Sequence, residues 1–138
     1  MENIITVQAE ISAPLEIVWE YWTLPEHIIN WNAASDDWHT PHAVNDLREG
    51  GKFLSRMEAR DGSFGFDFEG TYETVVKNAL IVYKIADGRK VKISFSAEGN
   101  GTRIVESFEA ENVHTPEQQQ EGWQAILNNF KNYTEGNL

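Results

Sequence analysis

Thr115-Pro116-Glu117-Gln118-Gln119-Gln120-Glu121-Gly122-Trp123-Gln124-Ala125-Ile126-Leu127-Asn128-Asn129-Phe130 is the stretch that decides the fold. Thr115 and Gln118 have the spacing of a capping box, and Pro116 suits the first helical position because its φ is already helical. Trp123, Ile126, Leu127 and Phe130 recur at i, i+3, i+4 and i+7, so they share one face. The remaining positions are mostly polar. The pattern predicts one long helix near the C-terminus with a single apolar stripe to bury, fraying beyond Tyr133 through Glu135-Gly136-Asn137.

Moving toward the N-terminus, the period changes from helical to two. Thr102, Ile104, Glu106 and Phe108 alternate with polar partners after a turn at Asn100-Gly101. Val91, Ile93, Phe95 and Ala97 do the same after Asp87-Gly88, and Leu80 to Ile85 reads as the strand before it. Phe64, Phe66, Phe68, Gly70, Tyr72 and Thr74 are expected on one face of a long strand, with Gly70 as its bend point. Asp61-Gly62 turns that strand back onto Phe53, Ser55 and Met57, which follow Gly50-Gly51. Turns between alternating runs indicate an antiparallel meander. Residues 32–50 read as irregular and polar. Before them, Thr23-Leu24-Pro25-Glu26 looks like a capped start for a short helix carrying Ile28, Ile29 and Trp31. Pro14 opens another, with Leu15, Val18, Trp19 and Trp22 on one side. Residues 3–11 form the first strand, with Ile5, Val7, Ala9 and Ile11 alternating with polar partners.

The order is strand, two short helices, about six strands and one long helix. Such an order is α+β, with the helix laid on an antiparallel sheet. The 138 residues suit one domain spanning 1–138. The absence of cysteine excludes disulfides and thiolate metal sites. Together with an N-terminus, Met1-Glu2-Asn3-Ile4-Ile5, that has no basic or apolar signal regions, it points to a cytoplasmic protein. No run is long and apolar enough to insert into a membrane. The net charge of −11 repels phosphate backbones and anionic bilayers, so nucleic acid is not an expected partner. No cofactor is expected.

The element order, and residues spread along the chain, resemble the START-like (helix-grip) superfamily, in the branch related to the activator of heat-shock protein 90 ATPase. The residues that carry the resemblance are Ala13-Pro14 before Val18-Trp19, Trp22-Thr23 with Pro25-Glu26-His27, Trp31, and Asp46-Leu47-Arg48 with Gly50-Gly51 and Phe53. Met57, Asp61-Gly62, Phe68, Gly70, Tyr72, Gly101-Thr102 and Gly122-Trp123 with Leu127 complete the set. The resemblance implies a curved sheet of six or seven strands wrapped around the long helix, with a cavity between them. It implies no single function, because function on a shared fold lives in the site. Lipid carriers, hormone receptors, cyclases and co-chaperones all use this fold. It also implies two kinds of protein partner: a second copy, since many relatives pair into dimers, and the chaperone itself. No apolar seam demands the first, and no matching residue identifies a contact with the second.

By alternation, the expected cavity wall comprises Phe53, Ser55 and Met57 from one strand and Phe66, Phe68 and Tyr72 from the next. Phe95 and Glu106 join from later strands, with Gly122, Trp123 and Ile126 from the helix and Trp31 and Trp38 from the segment before the sheet. Gly122 on the apolar side of a helix leaves room either for a ligand or for close packing on the sheet. Glu106 falls between Ile104 and Phe108, on the apolar side, where a carboxylate is unfavourable unless paired or protonated. It can be a polar anchor or general base, can be turned outward by a bulge, or can pair with Tyr72, Arg56 or Arg48.

Binding of a small apolar or amphipathic ligand is the preferred reading. The alternatives are a cofactor-independent cyclase or hydratase and a co-chaperone. In the enzyme, Glu106 would be the base, with Tyr72 or His39 orienting the substrate. Asp36, Asp37, His39 and His42 are metal-ligating types, but their spacing fits no zinc signature, and no metal site is expected.

Overall fold

The structure, a computed structural model, describes residues 3–138. Met1 and Glu2, the first residues of the stretch without signal features, lie outside the described residues. The chain runs β1 (Ile4–Ile11), α1 (Leu15–Thr23), α2 (Pro25–Trp31), β2 (Trp38–Asn45), β3 (Lys52–Ala59), β4 (Gly65–Val76), β5 (Leu80–Ile85), β6 (Lys90–Glu98), β7 (Gly101–Glu109) and α3 (Pro116–Gly136). The seven strands form one antiparallel sheet in the order β1-β7-β6-β5-β4-β3-β2. The α+β arrangement expected from the element order, and the helix-grip architecture that the resemblance implies, are the ones observed.

The α3 start has the anticipated chemistry. The Thr115 side chain accepts from the Gln118 backbone N–H, and the Gln118 side chain accepts from the Thr115 N–H. The helix then runs along β1, an edge strand whose outer backbone groups have no strand partner. Gln124 supplies what a strand would: its Nε2 donates to the Gln8 carbonyl at 3.0 Å and its Oε1 accepts from the Gln8 N–H at 3.4 Å. Gln120 reaches the Thr6 carbonyl, Lys131 the Glu10 carbonyl, and Glu135 the Ser12 N–H. An edge covered in this way offers no template for another chain.

Several local expectations are corrected. Residues 38–45 are a strand rather than irregular: β2 pairs with β3, and a bulge between His39 and His42 absorbs Pro41. An edge position tolerates the missing proline N–H, and this is what hid the strand. The Thr23 hydroxyl donates to the Trp19 carbonyl instead of capping α2, which starts from Leu24 without a side-chain cap. Pro14 is the N-cap of α1, one residue ahead of its first turn. In β4, Phe64 precedes the strand, and a register shift between Tyr72 and Thr74 hands the inner face to Val75, opposite Ile81.

Two glycines have specific reasons. The β6–β7 turn pivots on Gly99, with φ of 62°, rather than on Gly101, which already belongs to β7. Positive φ at the first central residue fits a type II′ hairpin turn. At Gly70 a Cβ would lie 2.5 Å from the Lys84 carbonyl oxygen and 2.8 Å from the Phe53 ring, so the backbone crosses there only because no side chain exists. Gly70→Ala is expected to destabilise by about 1–3 kcal/mol, because a carbonyl in the ladder cannot move aside. Thr115→Ala, which removes only the cap, should cost about 1 kcal/mol. Urea unfolding midpoints of the two variants against the parent check both values.

Candidate functional site

The hollow between sheet and α3 is filled at one end and open at the other. Under the second half of α3, Phe130 packs edge-on against Trp22 and Trp31, with ring centroids 4.8 and 5.0 Å apart. Trp22 and Trp31 lie 4.8 Å from each other, and Trp19 sits edge-on against Phe95 at 5.1 Å. With fully buried Leu127 and Val18, these rings form a solid aromatic wedge. Under the first half of α3 lies a cavity of about 430 Å³. Its size is within the usual range for small-molecule sites.

The cavity wall is built by strand alternation. Ser55 opposes Phe68 and Met57 opposes Phe66 across β3 and β4. Tyr72, Tyr83 and Val91 continue the inner face through successive ladders, as do Ile81, Ile93 and Glu106. The roof is Gln118, Gln119, Gly122, Trp123 and Ile126 of α3. Trp123 stacks flat on Phe108, with centroids 3.9 Å apart at 13°, which ties the roof to β7. A Cβ at Gly122 would meet nothing within 4 Å. Close packing of helix on sheet therefore does not explain this glycine.

Among the residues expected from alternation, the structure brings Trp31, Phe53, Ser55, Met57, Phe66, Phe68, Tyr72, Glu106, Gly122, Trp123 and Ile126 onto the cavity. Three lie elsewhere. Phe95 faces inward but near the end of β6, where the wedge covers it. Trp38 begins β2 and rests against Phe64 and Phe66, with centroids 6.0 Å away in each case. His39 lies beside Glu58 at 4.0 Å, away from Glu106, so it does not join the expected acid–base set. Among the described residues, no three His, Cys, Asp or Glu side chains gather as a metal-binding group.

Other residues line the cavity without having been expected there. Tyr83 follows from the same alternation as Ile81 and Ile85 and was legible. Asn45 was concealed by the misread edge strand; it accepts from the Tyr72 hydroxyl and donates to the Thr23 carbonyl at 2.6 Å. Arg89 enters from the β5–β6 turn, and Glu111 and His114 from the segment before α3.

Glu106 is 5% exposed and faces this space. It has no hydrogen-bond partner among the described residues. The three candidate partners are engaged elsewhere: Arg56 with Glu58 and Asp67, Arg48 with Asp46, and Tyr72 with Asn45. No bulge turns it out, since β7 keeps register with both neighbours. Desolvation pushes its carboxyl up to about 8, so the neutral acid predominates at pH 7. Burial likewise raises Tyr83, helped by the nearby Glu106 charge, and raises Tyr72 against the lowering effect of its bond to Asn45.

A buried acid of this kind makes stability depend on pH in one direction. The folded state holds the Glu106 proton above the ordinary carboxyl range, so the unfolded state loses it first. Stability from this group is complete below about pH 4, declines as pH rises, and is gone above about pH 8. The total is on the order of a few kcal/mol, because each tenfold gain in proton affinity corresponds to about 1.4 kcal/mol. Glu106→Gln should abolish this slope, so the variant gains on the parent between about pH 5 and about pH 8. Urea unfolding across that range would show it, and parallel curves for the two proteins would contradict it.

Residues 12–135 match the family described as activator of Hsp90 ATPase homolog 1-like protein. A solution structure of the AHSA1-like protein from Aeromonas hydrophila superposes with a TM-score of 0.91 at 47% identity, covering 97% of this chain and 93% of that one. A solution structure from Cytophaga hutchinsonii gives 0.83 at 54% identity, covering 96% and 92%. A crystal structure from Nitrosomonas europaea, at 20% identity and a TM-score of 0.82 over 96% and 94%, shares the fold. No functionally curated protein matches. A sequence match across most of the chain and a shared arrangement of sheet, wedge-side helices and α3 lead to one conclusion: the protein belongs to the activator of Hsp90 ATPase homolog 1-like family.

Proposed function

We propose that the protein binds a small apolar or amphipathic molecule in the space beneath the first half of α3. One observation carries this reading: the wedge leaves part of the hollow unfilled, about 430 Å³ lined by aromatic and aliphatic side chains with a few polar groups. Ligand sites have this composition. Gly122 supports the reading, since a helix interior tolerates glycine only at a cost of about 1 kcal/mol relative to alanine. Its missing side chain adjoins open space rather than a crowded contact. The cysteine-free composition suits a cytoplasmic carrier or sensor.

A second reading rests on Glu106. An acid near neutrality on a cavity wall is the group a cofactor-independent cyclase or hydratase would use for proton transfer. Catalysis differs from binding in an observable way, since the recovered ligand would be altered. The family description also raises contact with the Hsp90 chaperone as a competing role, which purified chaperone would test directly.

The test is binding of the neutral fluorophore N-phenyl-1-naphthylamine. The expected result is saturable enhancement with the parent protein. Gly122→Ala should keep binding and raise stability by up to about 1 kcal/mol. Gly122→Phe, which plugs the space, should weaken binding at least about tenfold while the protein stays folded. Equal binding by the parent and the plugged variant would sink the cavity reading. Native mass spectrometry of freshly purified protein would then show whether any small molecule co-purifies.

A further inference from the structure

Glu106 is a buried carboxyl that no other described protein group satisfies. Its ladder partners are Val7 on β1 and Ile93 on β6, and its inner-face neighbours along β7 are Ile104 and Phe108. A polar side chain left unpaired on the wall of a cavity is aimed at whatever fills that cavity. We propose that the ligand is an amphipathic amine, with its ammonium group paired to Glu106 and its apolar body under Trp123 and the β3–β4 aromatics. This rests on the cavity reading above and names the chemical class that the cavity takes.

The charges around the site favour a cation. From β5 and β4 the titratable groups are Tyr83 and Tyr72, both held neutral by burial. Arg89 comes from the β5–β6 turn, but its Nε donates to Asp87 at 2.9 Å and its Nη1 to the Glu109 carbonyl at 3.1 Å. The segment before α3 contributes Glu111 and His114, which pair at 3.1 Å. Backbone bonds from His114 hold the Glu111 carboxyl below its usual range, so it stays anionic at the mouth. From α3 the polar groups are Gln118 and Gln119, which carry no charge. Aromatic faces on the wall attract an ammonium through their quadrupoles. A protein of net charge −11 also raises the local concentration of cations.

Binding has a definite proton balance. The amine arrives as R–NH3⁺ and meets Glu106 as the neutral acid. The acid gives its proton to solvent, and the pair R–NH3⁺···⁻OOC forms. The only covalent bond broken is the Glu106 O–H. An alcohol of the same length releases no proton, because nothing then favours the carboxylate.

The experiment compares octylamine, octan-1-ol and octanoate by calorimetry at pH 7, in two buffers of different ionisation enthalpy. Octylamine is expected to bind at least about tenfold more tightly than octanol, as charge-assisted hydrogen bonds do over neutral ones. It should release about one proton per complex. Octanoate should bind most weakly. Glu106→Gln should bring octylamine down to the affinity that octanol has for the same variant and abolish proton release, with a cooperative urea-unfolding transition as the check on folding. Octanol and octylamine binding equally, without proton release, would overturn the amine while leaving the cavity reading intact. Tighter binding of octanoate would point to Arg89 as the anchor and also overturn it. No binding of any of the three would overturn the cavity reading and the amine together.

Discussion

The edge-on packing of Phe130 against Trp22 and Trp31 is the contact on which the rest of the arrangement depends. It joins α3 to α1 and α2, the two short helices that follow the first strand, and fills the hollow there with rings. At its other end, α3 is tied to the sheet by Trp123 on Phe108 and to the β1 edge by glutamine side chains. Those contacts are the two supports that hold the helix over the sheet. Large rings at both supports set the distance from helix to sheet, and interiors packed to crystal-like density do not deform easily around a gap. Gly122 lies in the roof one residue ahead of Trp123, where an added Cβ would meet nothing within 4 Å. The β1 edge contributes in a different way. Hydrogen bonds to Gln8 and Thr6 define how far α3 can slide along the sheet, because each glutamine meets a particular backbone group.

Glu106 is a carboxyl on an inner face that is otherwise mostly apolar. Its two cross-strand partners are aliphatic, and a valine or isoleucine in its place would be more favourable for folding. Natural chains depart from local consistency mostly where function demands it. The same logic does not extend to the outer face, where Arg56, Arg103 and Lys90 pair with carboxylates in solvent and contribute little to stability.

Much of this was legible from residues alone. Period-two alternation from Phe53 to Phe108 and the helical repeat from Trp123 to Phe130 indicated most of the strands and the inner face, because side-chain direction follows backbone geometry directly. They put Glu106 on the apolar side but left open whether a bulge turned it outward. Pro41 concealed β2, since a missing N–H is harmless at an edge and neighbouring residues cannot reveal which strand is an edge. The shift at Glu73 was likewise invisible, because a bulge moves one residue without altering local composition.

What only the tertiary structure decided is where inward-facing residues stand relative to α3. Phe95 and Phe68 look alike in sequence, yet one is sealed under the wedge and the other lines open space. Periodicity assigns each residue to a face, whereas the volume left between two faces depends on how distant side chains pack against each other. The sequence thus determined most of the strand residues that point into the hollow. The packing of Trp22, Trp31 and Phe130 determined how much of it stays empty.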